Sequence, residues 1–346
     1  MRRFVFVAAA FTGNGIEMRV LVTGATGFVG SRLAFRAAEQ GHQVVASGRR
    51  LNDALASKFK AAAIEVRLGD VTDAAFVDEA MAGVTHVCHL AAAWQEVGVA
   101  DEYFQKVTVG GTRNIANAAI KHGIKMLVHC STSGVHSRRS GAVISETSPI
   151  EITNAYEAAK VEAERVLTEI AQASRLPTIM LRPADGYGPG DMRLLKLYRA
   201  VAKGRFPLFG NGAGRRHLIY VDDLADAFLA ACTAQTQSPE PVLIAGPEVV
   251  SLRDLLVKLA HVLGSSRYGI RLPLAPMRML TAVTEDCCRL VGIKNPPLYR
   301  RRLDFFSVDV EYDISKARSL LSWEPRTGLE AGFRQAAEWY RAEGLL

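Results

Sequence analysis

The sequence predicts an α/β protein built on a doubly wound parallel sheet, with a smaller mixed lobe at its C-terminal end. Three features predict it. Short runs rich in Val, Ile and Leu alternate with segments of helical periodicity through the first 185 residues. Strands that alternate with helices join as parallel βαβ units, with both faces of one sheet covered. A glycine-spaced turn, Gly24, Gly27 and Gly30, connects the first run to the first helix. Past Gly186 the alternation gives way to stretches denser in Pro, Gly and aromatic residues, such as Gly204-Arg205-Phe206-Pro207 and Gly210-Asn211-Gly212.

The elements follow in order. Arg19–Val22 is the first strand, and Ser31–Gln40 is a helix stopped by Gly41, a C-cap position. Val44–Ala46 and Ile64–Leu68 are the next two strands, the latter followed by Gly69-Asp70. Val84–Leu90 is the fourth strand. Tyr103–His122 reads as a helix closed by Gly123. Lys125–Cys130 is the fifth strand, Ala155–Ala173 a long helix and Thr178–Leu181 the sixth strand. Further helical segments lie near 223–234, 252–263, 276–290, 313–321 and 329–343. The expected organisation is a leader over 1–17, a sheet domain over 18–185 and a lobe over 186–346 interleaved with the main sheet.

Composition narrows the function classes. The chain has 346 residues, 49% hydrophobic and 22% charged, which fits a folded protein with a large core. No apolar run reaches the roughly 18 residues of a membrane span. The net charge of +7 mildly favours anionic partners. Its basic residues are scattered apart from Arg49-Arg50, Arg138-Arg139, Arg215-Arg216 and Arg300-Arg301-Arg302, so no nucleic-acid-binding stripe is expected. Five cysteines without a C-x-x-C pair argue against a metal site or a disulfide scaffold. They fit a reducing cytoplasm better. Two arginines and a short apolar stretch give residues 1–17 a weak likeness to a signal peptide. Met18, however, opens a complete strand and turn, so the expectation is a poorly ordered leader that the fold does not need.

The glycine turn is the first place where chemistry enters. Glycine allows positive φ and lets backbone approach a ligand. The helix N-terminus that follows offers free N–H groups and a partial positive charge to a pyrophosphate. Close packing of helix on strand accounts for Gly30 but poorly for Gly24 and Gly27. At the end of the second strand stands Gly48-Arg49-Arg50, where an NAD site places a carboxylate. No carboxylate occurs between Glu39 and Asp53. An arginine here pairs with a 2′-phosphate and points to NADP, with NAD as the alternative; a solvated basic turn is the plainer reading. Asp70 is placed to bond an adenine amino group, and Ala91-Ala92 let backbone run close to a cofactor.

Tyr156 and Lys160, four residues apart, share a helix face. A nearby ammonium favours the phenolate and lowers the tyrosine pKa, which suits general acid/base work on an alcohol or ketone. The hydroxyl-rich Ser131-Thr132-Ser133 ends the preceding strand and can hold the reacting oxygen.

These motifs, Thr23-Gly24-Ala25-Thr26-Gly27-Phe28-Val29-Gly30, His89-Leu90-Ala91-Ala92, Ser131-Thr132-Ser133-Gly134-Val135 and Tyr156 with Lys160, resemble those of the extended short-chain dehydrogenase/reductase family, also called the NAD-dependent epimerase/dehydratase family. Leu181-Arg182-Pro183, Tyr187-Gly188-Pro189-Gly190, Tyr220-Val221-Asp222-Asp223, Asp313-Ile314-Ser315-Lys316-Ala317 and Trp323-Glu324-Pro325 extend the resemblance from about residue 18 to the end. It implies a Rossmann sheet and a homodimer through the helices around 103–122 and 154–173, with Val107, Ile115, Ala118, Ala119, Ala158, Ala159, Ala163 and Val166 at the contact. Tyr156 would be the acid/base, Lys160 its partner on the ribose, and Thr132 the catalytic hydroxyl, with Ser133 as fallback. Gly24, Thr26, Gly27, Phe28, Val29, Gly30, Arg49, Asp70, Val71, Leu90, Ala91, Ala92 and Pro183 would bind the dinucleotide. Trp94, Ser133, Asp185 and Arg216 would meet the substrate.

Two departures stand out. Thr108 occupies the family's usual Asn position, and Asp185 stands where nucleotide-sugar members carry Asn, which would repel a diphosphate. Arg216 matches the arginine that grips that diphosphate. The Leu-Arg-Pro pattern resembles the hydroxysteroid dehydrogenase and dihydroflavonol reductase branch. The leading expectation is therefore an NADP-linked oxidoreductase of an alcohol or ketone. A nucleotide-sugar epimerase or dehydratase is the alternative, and a non-catalytic dinucleotide sensor is third.

Overall fold

The computed structural model describes residues 17–94, 100–138, 141–236, 238–290, 306 and 308–346. Residues 1–16 of the expected leader, Arg139 and Arg300-Arg301-Arg302 lie outside the described residues. In chain order the first half holds β1 (Arg19–Thr23), α1 (Phe28–Glu39), β2 (Gln43–Gly48), α2 (Asp53–Ala61), β3 (Glu65–Leu68), α3 (Ala74–Ala80), β4 (His86–His89), α4 (Asp101–Phe104), a π-helical turn (Gln105–Gly110), α5 (Gly111–Lys121), β5 (Met126–Cys130), β6 (Val143–Ile144), α6 (Ala155–Ser174) and β7 (Thr178–Pro183). The second half holds β8 (Asp185–Tyr187), α7 (Leu195–Ala202), β9 (Phe206–Phe209), β10 (Arg215–Tyr220), α8 (Val221–Thr233), β11 (Glu240–Ile244), β12 (Val249–Ser251), α9 (Leu252–Leu263), β13 (Gly269–Leu272), α10 (Leu274–Leu290), β14 (Glu311–Tyr312), α11 (Ser315–Leu321) and α12 (Leu329–Ala342).

Seven strands form one sheet in the order β11-β7-β5-β4-β1-β2-β3, every pairing parallel. The strand order reverses between β1 and β4, and a crevice opens there at the strand C-termini. Apolar side chains fill both faces. Leu33, Ala34 and Ala37 of α1 and Ala227, Phe228 and Ala231 of α8 cover one, and Ile115, Ala119, Leu167 and Ala171 cover the other. Polar side chains cap the helix starts: Asn52 accepts from the Leu55 N–H, Asp73 from Ala75 and Phe76, and Asn154 from Glu157. Forked ion pairs, Arg32–Asp222 and Arg36–Asp226, tie α1 to α8.

The structure adds elements that the sequence pattern hid. α2 buries only Phe59 among its nine residues, so its apolar stripe is too narrow to read. β11 carries Pro241, which argues against a strand in the sheet interior. As the edge strand beside β7 it tolerates that proline, and it brings the second half of the chain into the main sheet. β8, β10 and β12 make a second, three-stranded sheet.

The motif Tyr220-Val221-Asp222-Asp223 has a structural task. Asp223 accepts from the Arg326 and Thr327 N–H groups and from the Thr327 hydroxyl, while the Trp323 indole donates to the Asp223 carbonyl. These bonds lock the segment after α11 onto α8.

Candidate active site

The turn between β1 and α1 is shaped by contacts that leave no room for side chains. Gly24 sits at φ +70°, and a Cβ there would stand 2.9 Å from the Ala91 nitrogen. A Cβ on Gly30 would stand 2.2 Å from the Gly24 carbonyl oxygen. Packing and backbone conformation therefore account for Gly24 as well as Gly30, contrary to the sequence expectation. Gly27 differs: its nearest neighbour to such a Cβ is at 3.3 Å, and it is the N-cap of α1 with no side-chain cap bond. The uncapped helix start leaves backbone N–H donors at its positive end.

A cleft of about 1080 Å³ runs along this turn. Sites of 300–1,000 Å³ hold drug-sized ligands, so it has room for a dinucleotide. Gly24, Thr26, Gly27, Phe28, Val29 and Gly30 line its middle. Arg49, Asp70 and Val71 line it on the β2–β3 side, and Leu90, Ala91, Ala92, Trp94, Tyr156 and Lys160 on the β4–β5 side. The residues present fit a nicotinamide dinucleotide: an uncapped helix start at the centre, arginines at one end and a buried lysine with a tyrosine at the other. Arg49 donates to the Tyr103 hydroxyl at 2.9 Å, and Asp70 accepts the Thr72 N–H at 2.9 Å.

At the β5 end, Lys160 is buried and donates from Nζ to the Cys130 carbonyl at 2.7 Å. Burial pulls its pKa below the ordinary lysine value. Its ammonium lies 6.0 Å from the centroid of the Tyr156 ring. Tyr156 does not show the lowered pKa that the sequence suggested. Desolvation dominates and pushes the phenol above its ordinary value; the charge of Cys130 raises it further, while Arg138 and a hydrogen bond with Thr132 work against the rise. The lysine is directed at a backbone carbonyl, and the phenol holds its proton.

Thr132 is half-buried and also accepts the Gly134 N–H at 3.0 Å. Ser133, the fallback, is fully buried and meets Tyr312; neither it nor Thr132 lines the cleft, and it is Thr132 that reaches Tyr156.

Three further residues assigned to ligands lie elsewhere. Arg216 is buried outside the cleft lining, and its Nη1 donates to the carbonyls of Gly214, Arg215 and Val308. That nitrogen is directed at backbone carbonyls. Asp185 is exposed but paired with Arg138, at 3.2 and 3.5 Å, which offsets the repulsion expected of it. Pro183 ends β7 outside the cleft lining. The face expected at a dimer contact is also largely used: Ile115, Ala118 and Ala119 are buried on the sheet side of the single chain, and Val107, Ala159, Ala163 and Val166 are buried in a cluster with Phe104 of α4.

Sequence reasoning missed several cleft residues. Tyr103 and Val107 border it from α4 and the π-helical turn, and Asp191, Met192 and Arg193 border it from the far side. The last three directly follow Tyr187-Gly188-Pro189-Gly190, which was the available signal.

Two buried networks hold the site. The Leu90 and Ala91 N–H groups donate to Thr23 Oγ1, whose hydroxyl meets His89 Nδ1 at 2.7 Å. His89 Nε2 meets Thr112 Oγ1 at 3.2 Å, and that hydroxyl donates to the Thr108 carbonyl. These partners fix His89 neutral, protonated on Nε2. Thr108, in place of the usual Asn, accepts the Ala93 N–H. Beneath α6, Arg182 forks onto Glu164 at 2.9 and 2.5 Å, both side chains buried.

Fold and site together define a nicotinamide-dinucleotide enzyme of the extended short-chain dehydrogenase/reductase class. The chain belongs to the NAD dependent epimerase/dehydratase family, whose model matches residues 20–245. It is 30% identical to a 2-alkyl-3-oxoalkanoate reductase of Stenotrophomonas maltophilia over 92% of this chain and 98% of that protein. It is 28% identical to a 3 beta-hydroxysteroid dehydrogenase/Delta 5→4-isomerase of Mycobacterium tuberculosis, covering 93% and 90%. A UDP-glucose 4-epimerase of Mycolicibacterium smegmatis shares 29% identity over 94% and 99%. Among solved structures, that of gox2253 superposes with a TM-score of 0.80 at 25% identity, covering 96% and 100%. Among the described residues no helix is long and apolar enough to cross a membrane.

Proposed function

We propose that the chain is an NADP-dependent oxidoreductase acting on an alcohol or ketone, with Tyr156 as the acid/base. The observation that carries this reading is that Tyr156 and Lys160 line one end of the cleft, with the Thr132 hydroxyl bonded to Tyr156 just outside that lining. A bound nicotinamide supplies hydride to, or accepts it from, the substrate carbon. Tyr156, holding its proton, donates it to the oxygen of a ketone under reduction. Thr132 supports that oxygen with a second hydroxyl. Lys160 stays fixed on the Cys130 carbonyl beneath the tyrosine.

Arg49 and Arg50 at the cleft edge, with no carboxylate between Glu39 and Asp53, support NADP over NAD. The 30% identity to a 2-alkyl-3-oxoalkanoate reductase supports a ketone substrate. The burial of Arg216 away from the cleft weighs against a nucleotide sugar. The reading also includes a reducing cytoplasmic setting and a homodimer through the helices around 103–122 and 154–173; light scattering giving a mass near 37.6 kDa would reject the dimer.

NADPH oxidation against a panel of ketones, beside a panel of nucleotide sugars, tests the assignment. Turnover of nucleotide sugars alone, without net NADPH consumption, would overturn it. Tyr156→Phe keeps the ring and removes the proton, so turnover should vanish while NADPH still binds. More than a few per cent of residual activity would remove Tyr156 from the mechanism.

A further inference from the structure

Arg193 borders the cleft from the side opposite the glycine turn. Its guanidinium carbon stands 5.4 Å from the centroid of the Phe28 ring and 5.6 Å from that of Trp94. Phe28 is the first residue of α1, and Trp94 meets the Tyr156 ring edge-on at 5.3 Å. The side chain thus reaches from the second half of the chain to the uncapped start of α1.

The arm is held in place. Nε and Nη2 fork onto Asp191 at 2.8 and 2.9 Å, and Nη2 also donates to the Gly186 carbonyl at 2.7 Å. Asp191 is buried, and its carbonyl accepts from the Tyr340 hydroxyl of α12. Gly190, at φ +95°, brings this loop against the Phe28 ring. Nη1 alone of the guanidinium nitrogens makes no hydrogen bond among the described residues. Of the other cations lining the cleft, Arg49 and Arg50 lie at the end of β2, and Lys160 is committed to the Cys130 carbonyl.

We propose that Arg193 is an anion-recognition arm laid across the cleft, whose Nη1 donates to the pyrophosphate of the bound dinucleotide opposite the N–H groups of α1. The helix start offers N–H donors and half a charge, and Arg193, its charge shared with Asp191, adds a pre-positioned charge-assisted donor from the other side. Closing the cleft this way couples the second half of the chain to the cofactor. The inference rests on dinucleotide binding in this cleft, and it is independent of the choice between NADP and NAD.

The test is affinity, measured by calorimetry with NADPH and with NADH. Removing Arg193 alone strands buried Asp191, so the test variant is Asp191→Asn/Arg193→Gln, with Arg193→Lys beside it and circular dichroism to confirm folding. Loss of a charge-assisted hydrogen bond should raise both dissociation constants by the same factor, roughly tenfold to a hundredfold. Arg193→Lys should fall between. Unchanged dissociation constants overturn the proposal. If they are unchanged while KM for the ketone rises, the arm serves a substrate anion such as a carboxylate instead. Failure of native protein to prefer NADPH would count against the NADP reading only, because the equal-factor result does not depend on it.

Discussion

Acidification should unfold this protein well before its carboxylates are protonated, because it buries neutral histidines. His86, His89, His129, His136 and His217 are all at most 6% exposed, and burial holds each below the ordinary histidine pKa. For His86 the value falls to about 4 and for His89 to about 3, with the Lys125 and Lys160 charges adding to the effect. In the unfolded chain each titrates near 6.5. A depressed folded pKa gives stability that is complete above the unfolded value and is lost as pH falls through the window down to the folded one. Between pH 7.5 and 5, each histidine that stays neutral therefore lowers stability by about 2 kcal/mol. His86 and His89 together give about 4 kcal/mol on the same reasoning, and the other three add in the same direction. That is a large part of a typical stability of roughly 5–15 kcal/mol. Urea unfolding at pH 7.5, 6.5, 5.5 and 5 measures it. Stability at pH 5 within about 1 kcal/mol of that at pH 7.5 would show that these rings gain protons or water in the folded state.

Further predictions follow from single sites. Among the described residues neither ring nitrogen of His129 has a hydrogen-bond partner, so His129→Phe should be neutral or stabilising at pH 7.5 and should flatten the acid slope; a loss above about 1 kcal/mol in urea would contradict this. Asp223→Ala strands two backbone N–H groups and a hydroxyl, and should cost about 3 kcal/mol or more in the same assay; an unchanged midpoint would show that the α8 lock carries no load. Arg49→Asp should invert the preference between NADPH and NADH in calorimetry, and equal affinities in the native protein would remove the basis for NADP. Thr132→Ala should lower kcat roughly tenfold to a thousandfold, whereas Ser133→Ala should act on stability alone; the reverse pattern would move the catalytic hydroxyl by one residue.

The legible part of the molecule is the part governed by local rules. β1, α1, β4, β5 and α6 announce themselves because their apolar runs or stripes are continuous and their ends carry glycine or a capping side chain. Their C-terminal edges then place the glycine turn, Ala91, Tyr156 and Lys160 on one cleft without knowledge of any long-range contact. The illegible part depends on what a side chain meets after folding. Arg216 reads as a ligand-binding arginine, yet it ends among three backbone carbonyls. Ser133 and Thr132 are neighbours of similar chemistry, and only the short helical turn after β5 decides that one is sealed and the other meets Tyr156. The alanines of α5 and α6 satisfy a two-fold contact and an internal contact equally well in sequence; those of α5 pack on the sheet side, and Ala159 and Ala163 of α6 pack against α4 and the π-helical turn.

The same distinction separates motif from mechanism in the second half of the chain. Tyr220-Val221-Asp222-Asp223 and Trp323-Glu324-Pro325 lie about a hundred residues apart, yet Asp223 joins them. Leu181-Arg182-Pro183 contributes a buried arginine whose fork holds Glu164 of α6, one turn beyond Lys160 and two beyond Tyr156. Neither set borders the cleft. A buried charge whose partner is removed costs roughly 3–5 kcal/mol, so such residues are constrained as strongly as catalytic ones. Motif matching alone therefore finds the frame of this enzyme as readily as its chemistry. Arg193 is the converse case: it lies just past the Tyr187-Gly188-Pro189-Gly190 motif, and its fork on Asp191 and its reach to Phe28 mark it as part of the site.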